Sequence, residues 1–95
     1  MMKISDLKQG SSNVEVKGEI VDIEQPREIN KMGRTLRVAN ATIKDESGSI
    51  TLTLWNDSID AVQPGNTVHI TNGYVNTWQD KTQLTLGKFG KMEVE

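Results

Sequence analysis

The sequence predicts an all-β fold: a five-stranded Greek-key barrel with one short helix between the third and fourth strands, in a single domain over residues 1–95. Three observations point there. Apolar residues recur with a period of two through most of the chain, two of these runs switch parity midway, and turn residues punctuate the runs at short intervals.

The elements follow in chain order. Ile4 and Leu7, ahead of Gly10-Ser11-Ser12, predict a helical turn at about residues 3–10 that plugs one end of the barrel. Val14, Val16 and Ile20 alternate with polar residues, then Val21 and Ile23 continue in the opposite phase close behind Gly18. A slip beside a strand glycine marks a bulge or sharp coil, the means by which one strand bends through two faces of a small barrel. From Thr35 to Lys44 the pattern repeats, with Leu36 and Val38 in one phase and Ala39, Ala41 and Ile43 in the other. Asp45-Glu46-Ser47-Gly48 is a turn on residue type. Next comes the cleanest alternation, Ser49 to Trp55, with Ile50, Leu52 and Leu54 on one face and Thr51, Thr53 and Trp55 on the other. Asn56-Asp57-Ser58 is placed to cap a short helix that carries Ile59 and Val62 and ends at Pro64-Gly65. Thr67–Thr71 and Thr82–Leu86 supply the last two strands, joined by a polar loop from about Asn76 to Lys81. The barrel is expected over about residues 13–88, with a short tail at 89–95.

Five strands with a helix between the third and fourth is the order of the oligonucleotide/oligosaccharide-binding (OB) fold. This fold binds on its second and third strands and on the loops joining strands one to two and four to five. SH3-like barrels, the main rival, lack a helix at this place.

Composition narrows the function. Without cysteine there is no disulfide framework, thiolate chemistry or iron–sulfur ligation, and the single histidine, His69, cannot build a histidine-based metal site. No cofactor and no metal are expected. His69 reads as a surface residue on the polar side of its strand, with no glycine-framed nucleophile nearby. The close acid pairs have ordinary structural roles: Asp45 with Glu46 in a turn, Asp57 with Asp60 near a helix N-terminus. The chain is therefore read as a binding protein and not an enzyme. It has neither an apolar run of membrane-spanning length nor the apolar core of a signal peptide, so a cytoplasmic location is expected.

Two features point to a ligand. The net charge is −2, yet Arg27, Lys31, Arg34 and Arg37 face a single acid, Glu28, giving this segment +3 and leaving −5 on the rest. The other feature is aromatic: Trp55 stands in register with threonines, Tyr74 follows Asn72-Gly73, and Trp78 lies in a polar stretch. Large rings outside a barrel filled by Val, Ile, Leu and Ala oppose the usual preference for burial. Stacking platforms beside a basic loop suit single-stranded nucleic acid, whose splayed bases each offer a π-face.

Arg34-Thr35-Leu36, Asp45-Glu46-Ser47-Gly48, Leu52-Thr53-Leu54-Trp55, Pro64-Gly65-Asn66-Thr67-Val68 and Asn72-Gly73-Tyr74 up to Trp78 resemble the archaeal single-stranded-DNA-binding proteins and the OB domains of archaeal replication protein A. The resemblance covers about residues 4–88. It implies that Trp55, Tyr74 and Trp78 stack on bases, that Arg27, Lys31, Arg34 and Arg37 meet the phosphate backbone, and that the role is sequence-tolerant protection of single strands in replication, recombination or repair. Single-stranded DNA is the implied partner, with RNA and other replication or repair proteins as further candidates and no membrane. Several relatives continue into a disordered tail where this chain stops at Met92-Glu93-Val94-Glu95, which leaves a tailless protein and an excised domain both open. The alternatives from other classes are a protein-association subunit of a multi-OB assembly and an RNA-binding module.

Overall fold

Each alternating run becomes a strand. The computed structural model describes residues 2–78 and 80–95, the side chains of residues 78 and 87–89 excepted. Its strands are β1 (Val14–Ile23), β2 (Arg27–Lys31), β3 (Arg34–Asp45), β4 (Gly48–Trp55), β5 (Thr67–Trp78) and β6 (Lys81–Val94), with a one-turn helix α1 (Asp57–Asp60) between β4 and β5. The sheet order is β1-β5-β6-β4-β3-β2, and β1 also pairs with β3, closing a five-stranded barrel from which β2 projects as an extra strand. Among the described residues, only β4 and β6 pair in parallel. This is the expected OB barrel.

One parity of every strand fills the barrel. Val14, Val16 and Ile20 of β1, Ala39, Ala41 and Ile43 of β3, Leu52 and Leu54 of β4, Val68, Ile70 and Val75 of β5 and Leu84 of β6 form one buried cluster. Ile4, in a 3-10 turn over Ile4–Asp6, caps one end, and Ile59 and Val62 around α1 join the same cluster. The parity slip of β1 also appears as structure, whereas β3 runs through its own with continuous register to β2 and β4. In β1 the register with β3 shifts between Ile20 and Asp22, leaving Val21 exposed. Gly18 lies where β1 crosses β3: a Cβ there would stand 2.6 Å from the Lys44 carbonyl oxygen and 2.8 Å from Ile43 Cγ1. The absence of a side chain lets the strands cross this closely.

Four details depart from the sequence-based expectation. The basic segment is a β-hairpin rather than a loop, because Ile29 pairs opposite Leu36 and Met32-Gly33 makes a two-residue turn with both φ angles positive, at 51° and 77°. That turn geometry matches the twist of the flanking strands. The polar loop from Asn76 to Lys81 is also mostly strand, since Asn76, Thr77 and Trp78 pair with Gln83, Thr82 and Lys81. The tail at 89–95 instead completes β6, with Met92 opposite Ile70 and Val94 opposite Val68. The last is a long-range pairing that no local period announces. Asn56 does not cap α1 through its side chain: its φ is 49°, and its Oδ1 accepts from the Arg37 N–H at 3.0 Å.

The Asp45 turn joins the end cap to the barrel. Its Oδ2 accepts from the Ile4 N–H at 3.0 Å, while Oδ1 accepts from the Ser47 and Gly48 N–H groups and the Ser47 hydroxyl. Burial raises the proton affinity of this carboxyl, but the bonds from Ser47, Ile4 and Gly48 outweigh it and hold the group below the ordinary carboxylate range. A carboxylate depressed on folding contributes stability above its unfolded pKa of about 4 and loses it as pH falls through the lower folded value. Asp45→Asn is therefore expected to flatten the acid limb of stability against pH, read by urea unfolding at a series of pH values. An acid limb as steep as that of the wild type would show that Asp45 does not carry it.

Candidate nucleic-acid interface

Strand register places a row of side chains across the outside of the barrel. In the β3–β4 ladder Val38 faces Trp55, Asn40 faces Thr53 and Thr42 faces Thr51. Thr51 and Thr53 face Gln83 and Thr85 across the parallel pair, which in turn face Asn76 and Tyr74 on β5. Residues directly opposite in neighbouring strands share a face, so these rows form one continuous surface. Its far edge is the hairpin, where Arg27 faces Val38, Ile29 faces Leu36 and Lys31 faces Arg34.

Two aromatics stand on this surface, with Trp55 37% and Tyr74 39% exposed. Trp55 ends β4, whose alternation puts Leu54 inside and the indole outside. Tyr74 owes its direction to a bulge. Val68 and Ile70 point inward, so uninterrupted alternation would send residue 74 inward as well. The β5–β6 register instead shifts between Thr71 and Gly73 at Asn72, whose φ is 55°, and this puts Val75 inside and Tyr74 outside. The neighbouring Gly73 is packed close to Leu84 and Ile70, so the unusual backbone falls on Asn72 and not on the glycine.

Between the rings lies a groove of about 390 Å³, walled by Trp55, Tyr74, Arg27, Ile29 and Val38 and floored by Asn40, Asn76, Thr53, Gln83 and Thr85. The floor is polar and uncharged; Thr53 and Gln83 are buried there, and the Thr53 hydroxyl donates to Gln83 Oε1 over 3.4 Å. A smaller hollow shares Asn40 and Gln83 with the groove and carries the track on to Thr51 and Lys81, past Asp22 and Glu24 on one bank. A larger hollow of about 530 Å³ adjoins it at the Ile4 end of the barrel, lined by Ile4, Leu7, Ile50 and Lys81 among others. Aromatic walls, a hydrogen-bonding floor and cations at the rim are what unpaired bases and phosphates require.

The residues singled out in the sequence separate here. Trp55, Tyr74 and Arg27 meet at the groove, and Lys31 and Arg34 lie further out on the same face of the hairpin. Arg37 does not join them. Adjacent to Val38 in β3, it points to the other side of the sheet, where its Nη2 lies 2.7 Å from Asp60 Oδ2 and donates to the Asn56 carbonyl at 3.3 Å. Trp78 ends β5 opposite Lys81, and its side chain falls outside the described residues. His69 sits half-buried with Nε2 2.8 Å from Glu15 Oε2, between β1 and β5 and away from the groove. Sequence reasoning missed Asn40, Asn76 and Gln83, because a polar residue at an outward strand position looks like any solvated one. Among the described residues no group of three or more His, Cys, Asp or Glu is placed to hold a metal ion, and no helix is long and apolar enough to cross a membrane.

The Arg37 guanidinium, by its hydrogen bond first and its charge second, holds the Asp60 carboxyl below the ordinary carboxylate range. Arg37→Gln is expected to return the Asp60 titration, followed by carboxyl-carbon NMR, upward to that range. An unmoved titration would mean that Arg37 is not committed to Asp60 in solution.

Residues 8–94 match the family model described as single-stranded DNA binding protein Ssb-like, OB fold. The single-stranded DNA binding protein Ssb of Saccharolobus solfataricus is 26% identical over 90 residues, covering 95% of this chain and 61% of that protein. Replication factor A of Methanothermobacter thermautotrophicus is 30% identical over 97 residues, covering 96% of this chain and 12% of that protein. The chain thus spans about three fifths of the first relative and about an eighth of the second. Among solved structures, the OB domain of a Thermoplasma acidophilum protein superposes with a TM-score of 0.85 at 24% identity, covering 99% of this chain and 85% of that one, a likeness of fold.

Proposed function

This chain belongs to the single-stranded DNA binding protein Ssb-like family of OB folds, and from that premise we infer that it binds single-stranded DNA with little regard to sequence, without catalysis, in replication, recombination or repair. The observation that carries the reading is the pair of outward rings, Trp55 and Tyr74, on either side of a polar groove on one continuous sheet face. Every base has a π-face, so stacking tolerates any sequence, and it contributes about 1–3 kcal/mol per base. Trp78, four residues beyond Tyr74, is proposed as a third platform on the family resemblance alone.

The charges divide the work unequally. Arg27, Lys31 and Arg34 share the groove face of the hairpin and are proposed as phosphate contacts. Arg37 faces away and is held by Asp60, so its proposed part is to brace the hairpin's root beside Trp55 rather than to meet phosphate. Three contacts give a salt slope near −2 on the single-strand coefficient of about 0.7 per phosphate, modest for a nucleic-acid binder. Stacking should therefore supply much of the affinity.

A fluorescence titration with oligo-dT tests this reading. Base stacking on an indole should quench emission, and Trp55→Ala should lose about 1–3 kcal/mol of binding while unfolding near the wild-type midpoint. A core-sized loss of stability, as expected near 2–5 kcal/mol for Leu52→Ala, would instead make Trp55 structural. Arg34→Glu should weaken binding to all sequences alike and flatten the dependence on log salt by roughly 0.7; an unchanged slope would remove Arg34 from the interface. Running the same titration with RNA distinguishes the RNA-binding alternative.

A further inference from the structure

The tip of the hairpin is built from a residue that its conformation disfavours. Met32 occupies the first central position of the Lys31–Arg34 turn with φ at 51°, and it is 93% exposed. Both central residues of such a turn have positive φ, which Asn, Asp and Gly accept readily and a long side chain with a Cβ does not. Gly33 fills the second position in the usual way. Met32 thus costs folding stability twice, by its backbone conformation and by holding an apolar thioether in water, with no packing in return. An asparagine there would relieve both costs.

What surrounds Met32 indicates a ligand of definite chemistry. Lys31 and Arg34 flank it as a cross-strand pair on the groove side of the hairpin. The next pair down that side is Ile29 with Leu36, both half-buried, and then Arg27 with Val38, where the groove and Trp55 begin. An apolar strip edged by cations thus runs from the aromatic groove to the tip, about 13 Å from Val38 to Arg34 at strand rise. A neutral apolar peptide would gain nothing from those cations, and a bare phosphate nothing from Met32, Ile29 and Leu36. An unpaired nucleotide uses both.

The geometry points to Met32 as a base-contacting residue: the hairpin tip seats one unpaired base of a single strand against the thioether while Lys31 and Arg34 hold the adjoining phosphates. Sulfur at the edge of an aromatic ring is a favourable contact of about 0.3–1.5 kcal/mol, roughly a two- to tenfold effect on affinity. The inference rests on the single-stranded-DNA reading and adds a base contact at the hairpin tip to the phosphate contacts of Lys31 and Arg34.

The test compares wild type, Met32→Asn, Met32→Leu and Trp55→Ala on oligo-dT of about four and about twelve nucleotides, with urea unfolding of each protein. Met32→Asn should unfold at higher urea than wild type and yet bind the longer oligonucleotide about two- to tenfold more weakly, with an unchanged salt slope. Met32→Leu, which keeps an apolar contact but lacks the sulfur, should bind between wild type and Met32→Asn. On the shorter oligonucleotide, which the aromatic groove can fill alone, the Asn variant should match wild type. Full affinity of Met32→Asn for the longer strand, or a lower unfolding midpoint, would overturn the inference. If Trp55→Ala still weakens binding in that case, the broader reading stands without it, whereas a wild type that binds neither oligonucleotide would remove both.

Discussion

The whole outer face depends on the register of one parallel strand pair. Thr51, Leu52 and Thr53 of β4 lie beside Gln83, Leu84 and Thr85 of β6, so Leu52 and Leu84 meet inside while the threonines and Gln83 meet outside. A slip of one residue would exchange the two sets, exposing Leu84 and turning Thr85 and its β5 partner Tyr74 inward. The cost of exposing fully buried leucine therefore fixes where the tyrosine stands. Trp55 and Tyr74 lie on strands that are not hydrogen-bonded to each other, and β6 between them sets their spacing.

The same coupling gives the hairpin its position. Among the described residues β2 pairs with β3 alone, so its direction is set at the root, where Asn56 and Arg37 bond each other's backbone and the Arg37 guanidinium reaches Asp60. The surface then combines two kinds of attraction of different range. Cations on the hairpin act over about a Debye length of 8–10 Å and weaken with salt, whereas the rings act only at contact and do not. In a chain of net charge −2 the first cannot dominate. On the proposed reading, Asp22 and Glu24 on the wall of the adjoining hollow would also oppose loosely held phosphate.

Much of this was legible in the sequence, and what was not has a physical reason. The barrel strands, the parity slip of β1, the Asp45 turn and the outward Trp55 follow from a period of two and from turn chemistry, which are local. The extension of β6 to Val94 was hidden because its partner, β5 from Val68 to Thr71, is remote in sequence. The basic hairpin was hidden differently: Arg27 to Lys31 carries one apolar residue, Ile29, and a turn built on methionine lacks the Asn-Gly signature. In the candidate site, residue type identified the rings and cations, but only register could show that Arg37 faces away from Arg27, Lys31 and Arg34.

The central claim is that ligand is held chiefly by exposed rings on unpaired bases. Competition between single-stranded and duplex DNA of one sequence at a fixed, moderate salt concentration tests it most directly. Bases within a duplex hide their faces against each other, and freeing them costs a few kcal/mol. With only a small basic hairpin to attract an intact helix, single strands should bind at least tenfold tighter, a gap of about 1.4 kcal/mol. Equal affinity for the two forms would contradict the account, because it would place the binding energy in the phosphates and leave Trp55 and Tyr74 without a part.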